Sequence, residues 1–531
     1  MTSGELRERV RAWIEDEVDP GAATELQALL DADDFGALAE RFSGALTFGT
    51  AGLRGPLRAG PNGMNRAVVR RTAAGVAGWL KDHGHLGEPV VIGYDGRHGS
   101  HEFAHDSAAI FAAAGFDARV LPRLLPTPVL AFAVQHLHAA AGVMVTASHN
   151  PPQDNGYKVY AADGAQIVPP TDTEIEAAIG AVGPTHEIAL DASVVTELDD
   201  SIVAAYVEAV VALIEPGERD VRIVHTAMHG VGTEVVRRVF AAAGFAAPIA
   251  VAQQELPDAD FPTVAFPNPE EPGALDLAMA LARARDADLI IANDPDADRC
   301  AVAVPWPDGR WRMLRGDQVG VLLADSLLRK GVRGTYATTI VSSTMLRAMA
   351  GRHGVPYAET LTGFKWISRA APDLVYGYEE ALGYAVAPDL VRDKDGVSAA
   401  LLVAELAADL KARGSSLRQR LEELAAEYGR YVTDQVAVRV EDLSIIDDTM
   451  ARLRANPPTS LLGAPVTVTD LRPDADVVRL TWTGGRVVVR PSGTEPKLKA
   501  YLEVVVPDGS ADTAATRIAT LRSEISALLG L

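Results

Sequence analysis

The chain of 531 residues predicts an α/β protein of several domains that ends in a smaller α+β segment. Two observations carry this prediction: a strand, helix, glycine, strand unit recurs along the chain, and the C-terminal segment departs from it. In the first copy Pro89 to Tyr94 is strand-like and a polar turn follows at Asp95 to Ser100. A helix then ends in Phe111-Ala112-Ala113-Ala114-Gly115-Phe116, before the strand Ala118 to Leu121. The second runs from Val221 to Thr226, through a turn at His229-Gly230, to Phe240-Ala241-Ala242-Ala243-Gly244-Phe245 and the strand Pro248 to Ala252. A fainter third has Thr335 to Val341, a helix ending near Gly354, and Val355 to Glu359. A helix closed by glycine between two strands is the pattern of a parallel unit, and repetition of it implies α/β layers of similar build.

The bulk composition sets bounds. Length suggests roughly three or four domains. With 48% hydrophobic and 23% charged residues the chain can bury several cores. Its 49 basic against 71 acidic side chains give a net charge of −22, which opposes attraction to nucleic acid or anionic membranes. The single cysteine, Cys300, excludes an internal disulfide framework and a cysteine-based zinc cluster, and is expected on a core strand. Met1 to Asp19 lacks the apolar core of a signal peptide, and no apolar run is long enough to span a bilayer. A cytoplasmic protein is expected.

From the N-terminus, residues 5 to 42 read as two or three amphipathic helices, from the spacing of Leu26, Leu29 and Leu30, then Phe35, Leu38, Ala39 and Phe42. Next, Phe48 to Gly55 sets glycines around Arg54, a loop that could approach an anion or be only a turn. The apolar run Ala139 to Val145 then ends in Thr146-Ala147-Ser148-His149-Asn150-Pro151. Pro151-Pro152 stops regular structure, so Ser148 sits on a strand-end loop suited to a nucleophile. Alone, the same residues also fit a capped turn.

Farther on, the strand Asp288 to Ala292 leads into Asn293-Asp294-Pro295-Asp296-Ala297-Asp298-Arg299 before a strand resumes at Cys300 to Val304. Alternating carboxylates on a curling loop can converge on a hard cation, and magnesium is favoured over an acidic turn without metal. An EF-hand fits poorly, because Arg299 and Pro305 occupy its glycine and bidentate-acid positions. Thr362-Gly363-Phe364-Lys365 and Tyr378-Glu379-Glu380-Ala381-Leu382-Gly383 both read as loops between extended apolar segments. Adjacent acids there could accept sugar hydroxyls or simply face water. Arg392-Asp393-Lys394-Asp395-Gly396 reads as a mixed-charge turn at a helix start.

The C-terminal segment has Val477 to Trp482, a Thr483-Gly484-Gly485 turn and Arg486 to Arg490 as a hairpin, then Leu498 to Val505 and a closing helix. Between its strands, Arg490-Pro491-Ser492-Gly493-Thr494-Glu495-Pro496-Lys497 gathers cations, hydroxyls and a glycine-exposed backbone suited to a phosphate dianion. The spacing is not that of a nucleotide P-loop. Boundaries near residues 205, 315 and 430, without low-complexity linkers, suggest domains packed around a shared cleft.

Taken in order, these loops resemble those of the α-D-phosphohexomutase superfamily, the phosphoglucomutase and phosphomannomutase enzymes, and within it the branch of phosphoglucomutase-2 and phosphopentomutase. The match runs from Gly49 to Lys499. It implies an α/β protein of four domains around a central cleft: three related α/β domains with mixed sheets and a smaller C-terminal α+β domain. These would be residues 46–205 with the phosphoserine loop, 206–315 with the metal loop, 316–430 with the sugar loop and 431–531 with the phosphate loop, after an N-terminal helical extension at 1–45.

The resemblance assigns Ser148 as phosphoryl carrier and, with Asp294, Asp296 and Asp298, as ligand to Mg2+. Arg54, His149, Lys158 and Arg299 become active-site positions around the transferring group. Thr362, Gly363, Lys365, Glu379, Ala381 and Lys394 fall at the sugar, with Glu379 accepting its hydroxyls. Arg490, Ser492, Gly493, Thr494 and Lys497 would hold the phosphate that is not transferred. The chain departs from the hexomutase pattern at Ala381, where a serine is usual, and at Pro295 and Ala297, where glycines are usual.

The activity implied is interconversion of hexose 1- and 6-phosphates of glucose or mannose, through a phosphoserine and a bisphosphorylated sugar that also serves as primer. Pentose phosphates are the alternative. Lys158 or His149 would move the hydroxyl proton. A metal-dependent phosphatase would not need the distal phosphate loop, and a sugar-phosphate sensor would tolerate loss of Ser148. Small-molecule sugar phosphates are the expected partners, with no nucleic acid or membrane, for a monomer or homodimer.

Overall fold

In the computed structural model, which describes residues 2–47, 52–440, 442, 444–492 and 497–530, each repeated unit is a parallel strand pair. Pro89–Tyr94 runs parallel to Asp117–Val120, Ile223–Thr226 to Ile249–Ala250, and Thr335–Thr339 to Tyr357–Thr360. Gly115, Gly244 and Gly354 end the intervening helices with φ of 94°, 82° and 64°. That left-handed backbone closes a helix at little cost only for glycine.

The chain divides into two compact units, Met1–Met313 with Gly383–Asp409, and Leu314–Leu382 with Leu410–Leu531. The first begins with three helices, Ser3–Asp16, Pro20–Asp31 and Phe35–Phe42. Asp19 caps the second with a carboxylate oxygen 2.8 Å from the Gly21 N–H, and Pro20 occupies the first helical position, where a missing N–H costs nothing. Their apolar faces bury Leu6, Val10, Leu26, Leu30, Leu38 and Phe42 together with Ala59, so the extension shares a core with the first α/β domain.

That domain holds a six-stranded sheet in the order Leu53–Pro56, Asp154–Ala161, Ala141–Val145, Pro89–Tyr94, Asp117–Val120, Thr196–Glu197. The sheet is mixed. Asp154–Ala161 lies antiparallel to both its neighbours, and the strands from Ala141–Val145 onward are parallel. A second, five-stranded sheet is ordered Trp311–Met313, Ala301–Pro305, Leu289–Ala292, Ile223–Thr226, Ile249–Ala250. Cys300 is buried at the head of Ala301–Pro305.

Residue 205 falls inside the helix Ser201–Val211. The segment Gly383–Asp409, which sequence alone leaves beside the sugar loop, belongs to the first unit. Two buried carboxylates tie it there. Asp393 accepts the Tyr160 hydroxyl at 2.8 Å and the Gln166 amide at 2.7 Å, and Asp395 accepts the Tyr206 hydroxyl at 2.8 Å.

In the second unit Thr335–Thr339 lies between Tyr357–Thr360 and Leu374–Glu379, all parallel. Its C-terminal part is an antiparallel sheet in the order Arg430–Arg439, Lys497–Val506, Gly485–Pro491, Val478–Trp482, Thr467–Asp470. Alternate residues of Val478–Trp482 are buried, and the helices Ser444–Ala455 and Ala511–Leu529 supply Met450, Leu453, Leu521 and Ile525 to the same core. Arg430–Arg439 and Ser444–Ala455 gave no clear sequence signal, since the strand is mostly half exposed and rich in polar residues. Among the described residues no helix is long and apolar enough to cross a membrane.

Candidate active site

Every residue of Ala141–Val145 is buried, as a strand covered on both faces requires, and Ser148 lies just beyond its end. Ser148 has φ of 52°, a left-handed conformation uncommon for serine, and its N–H is received by Thr146 Oγ1 at 2.9 Å. The loop carbonyls turn onto one guanidinium. Arg97 donates to the Ser148 and Asn150 oxygens at 2.6 and 2.5 Å, and to those of Pro151 and Asp154 at 2.8 and 3.1 Å. So held, Ser148 Oγ donates to Asp294 Oδ2 at 2.8 Å and lies 3.2 Å from His149 Nδ1.

The metal-loop residues curl as expected. The Pro295 carbonyl receives the Val231 N–H at 2.8 Å, and Thr127 donates its N–H to the Asp296 carbonyl at 2.9 Å and its hydroxyl to the carboxylate at 2.7 Å. Gly230 has to be glycine here, because a Cβ would stand 2.3 Å from Pro295 Cα. Ala297 has φ of 53°, which gives a backbone reason for the glycine usual at that position. Oxygens of Asp294, Asp296 and Asp298 converge within 4.8 Å of one another, all buried.

The electrostatics suit a cation. Burial, then the charges of Asp296 and Asp298, push the Asp294 carboxyl well above its ordinary range. Asp296 Oδ1 and Asp298 Oδ1 are buried without a hydrogen-bond partner. Three converging carboxylates with orphaned oxygens form the oxygen-only donor set a hard divalent cation takes, so the residues fit a metal.

Positive groups ring this cluster. Lys158, on the strand Asp154–Ala161, donates to Asp296 at 2.8 Å and Asp298 at 3.0 Å. Burial alone would lower its pKa, yet the two carboxylates hold it above the ordinary lysine value. Burial likewise disfavours ionised Asp298, but Lys158, Lys394 and Arg299 together draw its carboxyl below the usual range. Lys394, expected at the sugar, lies 3.4 Å from Asp298. Arg299 stands 3.9 Å from both Asp294 and Asp298 and bridges Gly383 through its backbone. Arg54 is on the strand Leu53–Pro56, opposite Gly156, and donates to Asn150 at 3.1 Å. Burial, reinforced by Arg299 and Arg54, keeps His149 well below an ordinary histidine pKa, so its imidazole is neutral at neutral pH.

The remaining predicted residues that the structure describes lie in the second unit. Glu379 ends the strand Leu374–Glu379, and half-buried Ala381 follows. Phe364–Ile367 is a one-turn helix rather than the loop expected; Gly363, with φ of 108°, precedes it and Lys365 is buried within it. Arg490 is near the end of Gly485–Pro491, and the Ser492 N–H reaches the Lys497 carbonyl at 2.7 Å. Gly493 and Thr494, like Gly49 in the first glycine loop, lie outside the described residues. The structure thus gathers Arg54, Ser148, His149, Lys158, the aspartates, Arg299 and Lys394 in one unit, and Thr362, Gly363, Lys365, Glu379, Ala381, Arg490, Ser492 and Lys497 in the other.

Sequence reading missed Arg97 and Thr127. Asp95-Gly96-Arg97 at a strand end was a signal for the first, read only as a polar turn; Thr127, 169 residues from Asp296, gave none.

A buried serine hydroxyl bonded to a carboxylate cluster, with guanidinium and ammonium groups around it, is an arrangement suited to phosphoryl transfer. The chain belongs to the phosphoglucomutase/phosphomannomutase family: residues 45–184, 204–306 and 315–428 match its alpha/beta/alpha domains I, II and III, and 436–521 its C-terminal domain. Its enzymes are isomerases that move phosphate within a sugar phosphate.

The chain is 49% identical to the "Probable phosphomannomutase" of Haemophilus influenzae over 83% of its own length and 93% of the relative's. To the phosphopentomutase of Mus musculus it is 36% identical, over 99% and 93%. A solved phosphoglucomutase/phosphomannomutase family protein from Burkholderia thailandensis superposes with a TM-score of 0.69 over 91% of this chain and 97% of that one; at 22% identity it speaks for the fold alone.

Proposed function

We propose that this enzyme interconverts the 1- and 6-phosphates of a hexose, mannose or glucose, through phosphorylated Ser148 and a bisphosphorylated sugar. The observation that carries the reading is the Ser148 hydroxyl 2.8 Å from Asp294 within the aspartate cluster. The phosphoryl group leaves Ser148 Oγ for the free sugar hydroxyl, one P–O bond breaking as the other forms. The sugar turns over, and its other phosphate returns to Ser148.

Asp294, Asp296, Asp298 and the serine oxygen would hold Mg2+, which when bound supplies charge neutralisation to the transferring group. Arg54, Arg299 and Lys158 add positive charge around the equatorial oxygens. Lys158, beside Asp296 and Asp298, or His149, 3.2 Å from Ser148 Oγ, moves the hydroxyl proton. Glu379 would accept sugar hydroxyls beside Thr362, Gly363 and Lys365, and Arg490, Ser492, Gly493, Thr494 and Lys497 would bind the phosphate that stays. A sugar bisphosphate serves as primer, and the cytoplasm is the compartment proposed.

The similarity to a phosphopentomutase over nearly the whole chain supports a second reading, ribose or deoxyribose 1- to 5-phosphate. Initial rates on mannose, glucose and ribose 1-phosphates, primed with the bisphosphate, separate the two: hexose turnover at least tenfold faster is expected (~1.4 kcal/mol in barrier), and preference for ribose establishes the second. Ser148→Ala is expected to abolish isomerisation and protein-bound phosphate, and retained isomerisation would exclude the phosphoserine route. Chelation should remove activity and magnesium restore it; indifference to chelator would exclude the metal.

A further inference from the structure

Within the second unit, the hairpin that carries the proposed phosphate loop is anchored at its opposite end. Arg486 and Glu503 are cross-strand partners in the pair Gly485–Pro491 and Lys497–Val506, whose other end is Arg490 to Lys497. Four residues of strand, ~13 Å, separate Arg486 from Arg490. Both anchor side chains are buried and grip Ser342-Ser343-Thr344, the turn after the strand Thr335–Thr339.

Glu503 accepts the Ser343 hydroxyl at 2.7 Å and the Thr344 N–H and hydroxyl at 2.8 and 2.7 Å. Arg486 donates to the Ser342 carbonyl and, at 2.9 Å, to Glu359. On its far side the same serine meets the proposed sugar loop. Its hydroxyl donates to Glu380 Oε2 at 2.9 Å and receives the Glu380 N–H at 3.1 Å. Thr339 Oγ1, 2.8 Å from Ser342 Oγ, also reaches Glu380 at 3.2 Å. Glu380 has no slack behind it, because a Cβ on Gly316 would come within 2.0 Å of the Glu380 carbonyl oxygen.

We propose that Ser342 is a positioning residue for the sugar loop: it fixes the backbone between Glu379 and Ala381 and, through its carbonyl, ties that loop to the base of the phosphate-loop hairpin at Arg486. The inference rests on the functional reading above, which makes Glu379 the acceptor of sugar hydroxyls. Of the two hydroxyls that reach the Glu380 carboxylate, only that of Ser342 also receives the Glu380 N–H, so its loss frees the peptide next to Glu379 without touching that glutamate. Thr344, in the same turn, provides the matched control, since its hydroxyl donates to the Glu503 carboxylate but makes no bond to the sugar loop.

The test compares Ser342→Ala and Thr344→Ala in the full chain by steady-state kinetics on mannose 1-phosphate, glucose 1-phosphate and ribose 1-phosphate, with thermal unfolding and Mn2+ titration alongside. Ser342→Ala is expected to raise KM at least about tenfold, the equivalent of one lost hydrogen bond to a charged group, with Mn2+ affinity unchanged. Thr344→Ala is expected to lower the melting temperature comparably while KM stays within about twofold. Equal KM shifts in the two variants, or none in Ser342→Ala, would overturn the inference alone. A wild-type enzyme inactive on all three sugars would overturn the functional reading and this inference with it.

Discussion

Replacing Arg97 with methionine tests how the serine loop is held. The guanidinium is 1% exposed, gives hydrogen bonds to four loop carbonyls, lies 4.9 Å over the Phe261 ring and faces Asp95 at 3.4 Å. Methionine keeps the bulk and removes the donors and charge. Asp95 is then buried without its cation, a change that costs about 3–5 kcal/mol, and each unmet carbonyl adds about 1 kcal/mol unless the loop moves to water. The loop therefore moves, and a shift of ~1 Å at the nucleophile lowers kcat about a hundredfold.

The double variant Asp95→Asn/Arg97→Met separates the two effects. Neutralising Asp95 should return most of the stability, measured as the urea midpoint, and none of the turnover, measured as phosphate incorporated at Ser148 and as kcat. Wild-type kcat in Arg97→Met, or joint recovery of stability and turnover in the double variant, would refute this account of the loop.

Asp317 gives a pH prediction. Burial, with Glu503 nearby, raises its carboxyl from 3.8 to about 6, against hydrogen bonds from Ser343, Thr433 and Tyr378. A raised folded pKa means that the stabilisation is complete below the unfolded value and is lost as pH rises through the folded one. Relative to Asp317→Asn, the wild type should thus lose up to about 3 kcal/mol between pH 4 and 7, read from urea unfolding; a difference constant with pH would refute it. Gly396→Ala should displace the metal loop, because the added Cβ would stand 2.2 Å from the Arg299 carbonyl oxygen. Expected are a stability loss of about 1–3 kcal/mol and weaker Mn2+ binding, and unchanged metal affinity would show that the loop does not yield.

Much of this was legible because it is local. Apolar runs bounded by Gly and Pro mark strands at any tertiary setting, and Asp294-Pro295-Asp296-Ala297-Asp298 announces its convergence by alternating carboxylates on one short loop. Ser148 was legible in the same way, as a hydroxyl at a strand end stopped by Pro151-Pro152. The one-turn helix Phe364–Ile367 was not, since four residues are too few for a period to show.

By itself the sequence determined the alternation of strand and helix, the order of the four loops and the residue types that can carry a phosphoryl group. Only the tertiary structure decided that Arg97 would hold the serine loop, that Lys158 and Lys394 would both face Asp298, and that Ser342 would stand between two loops. The physical reason is separation along the chain. A buried charge is stable only with a partner, and here the partners lie 51, 140 and 144 residues away, between Arg97 and Ser148, Lys158 and Asp298, and Ser342 and Arg486, where no local pattern records them.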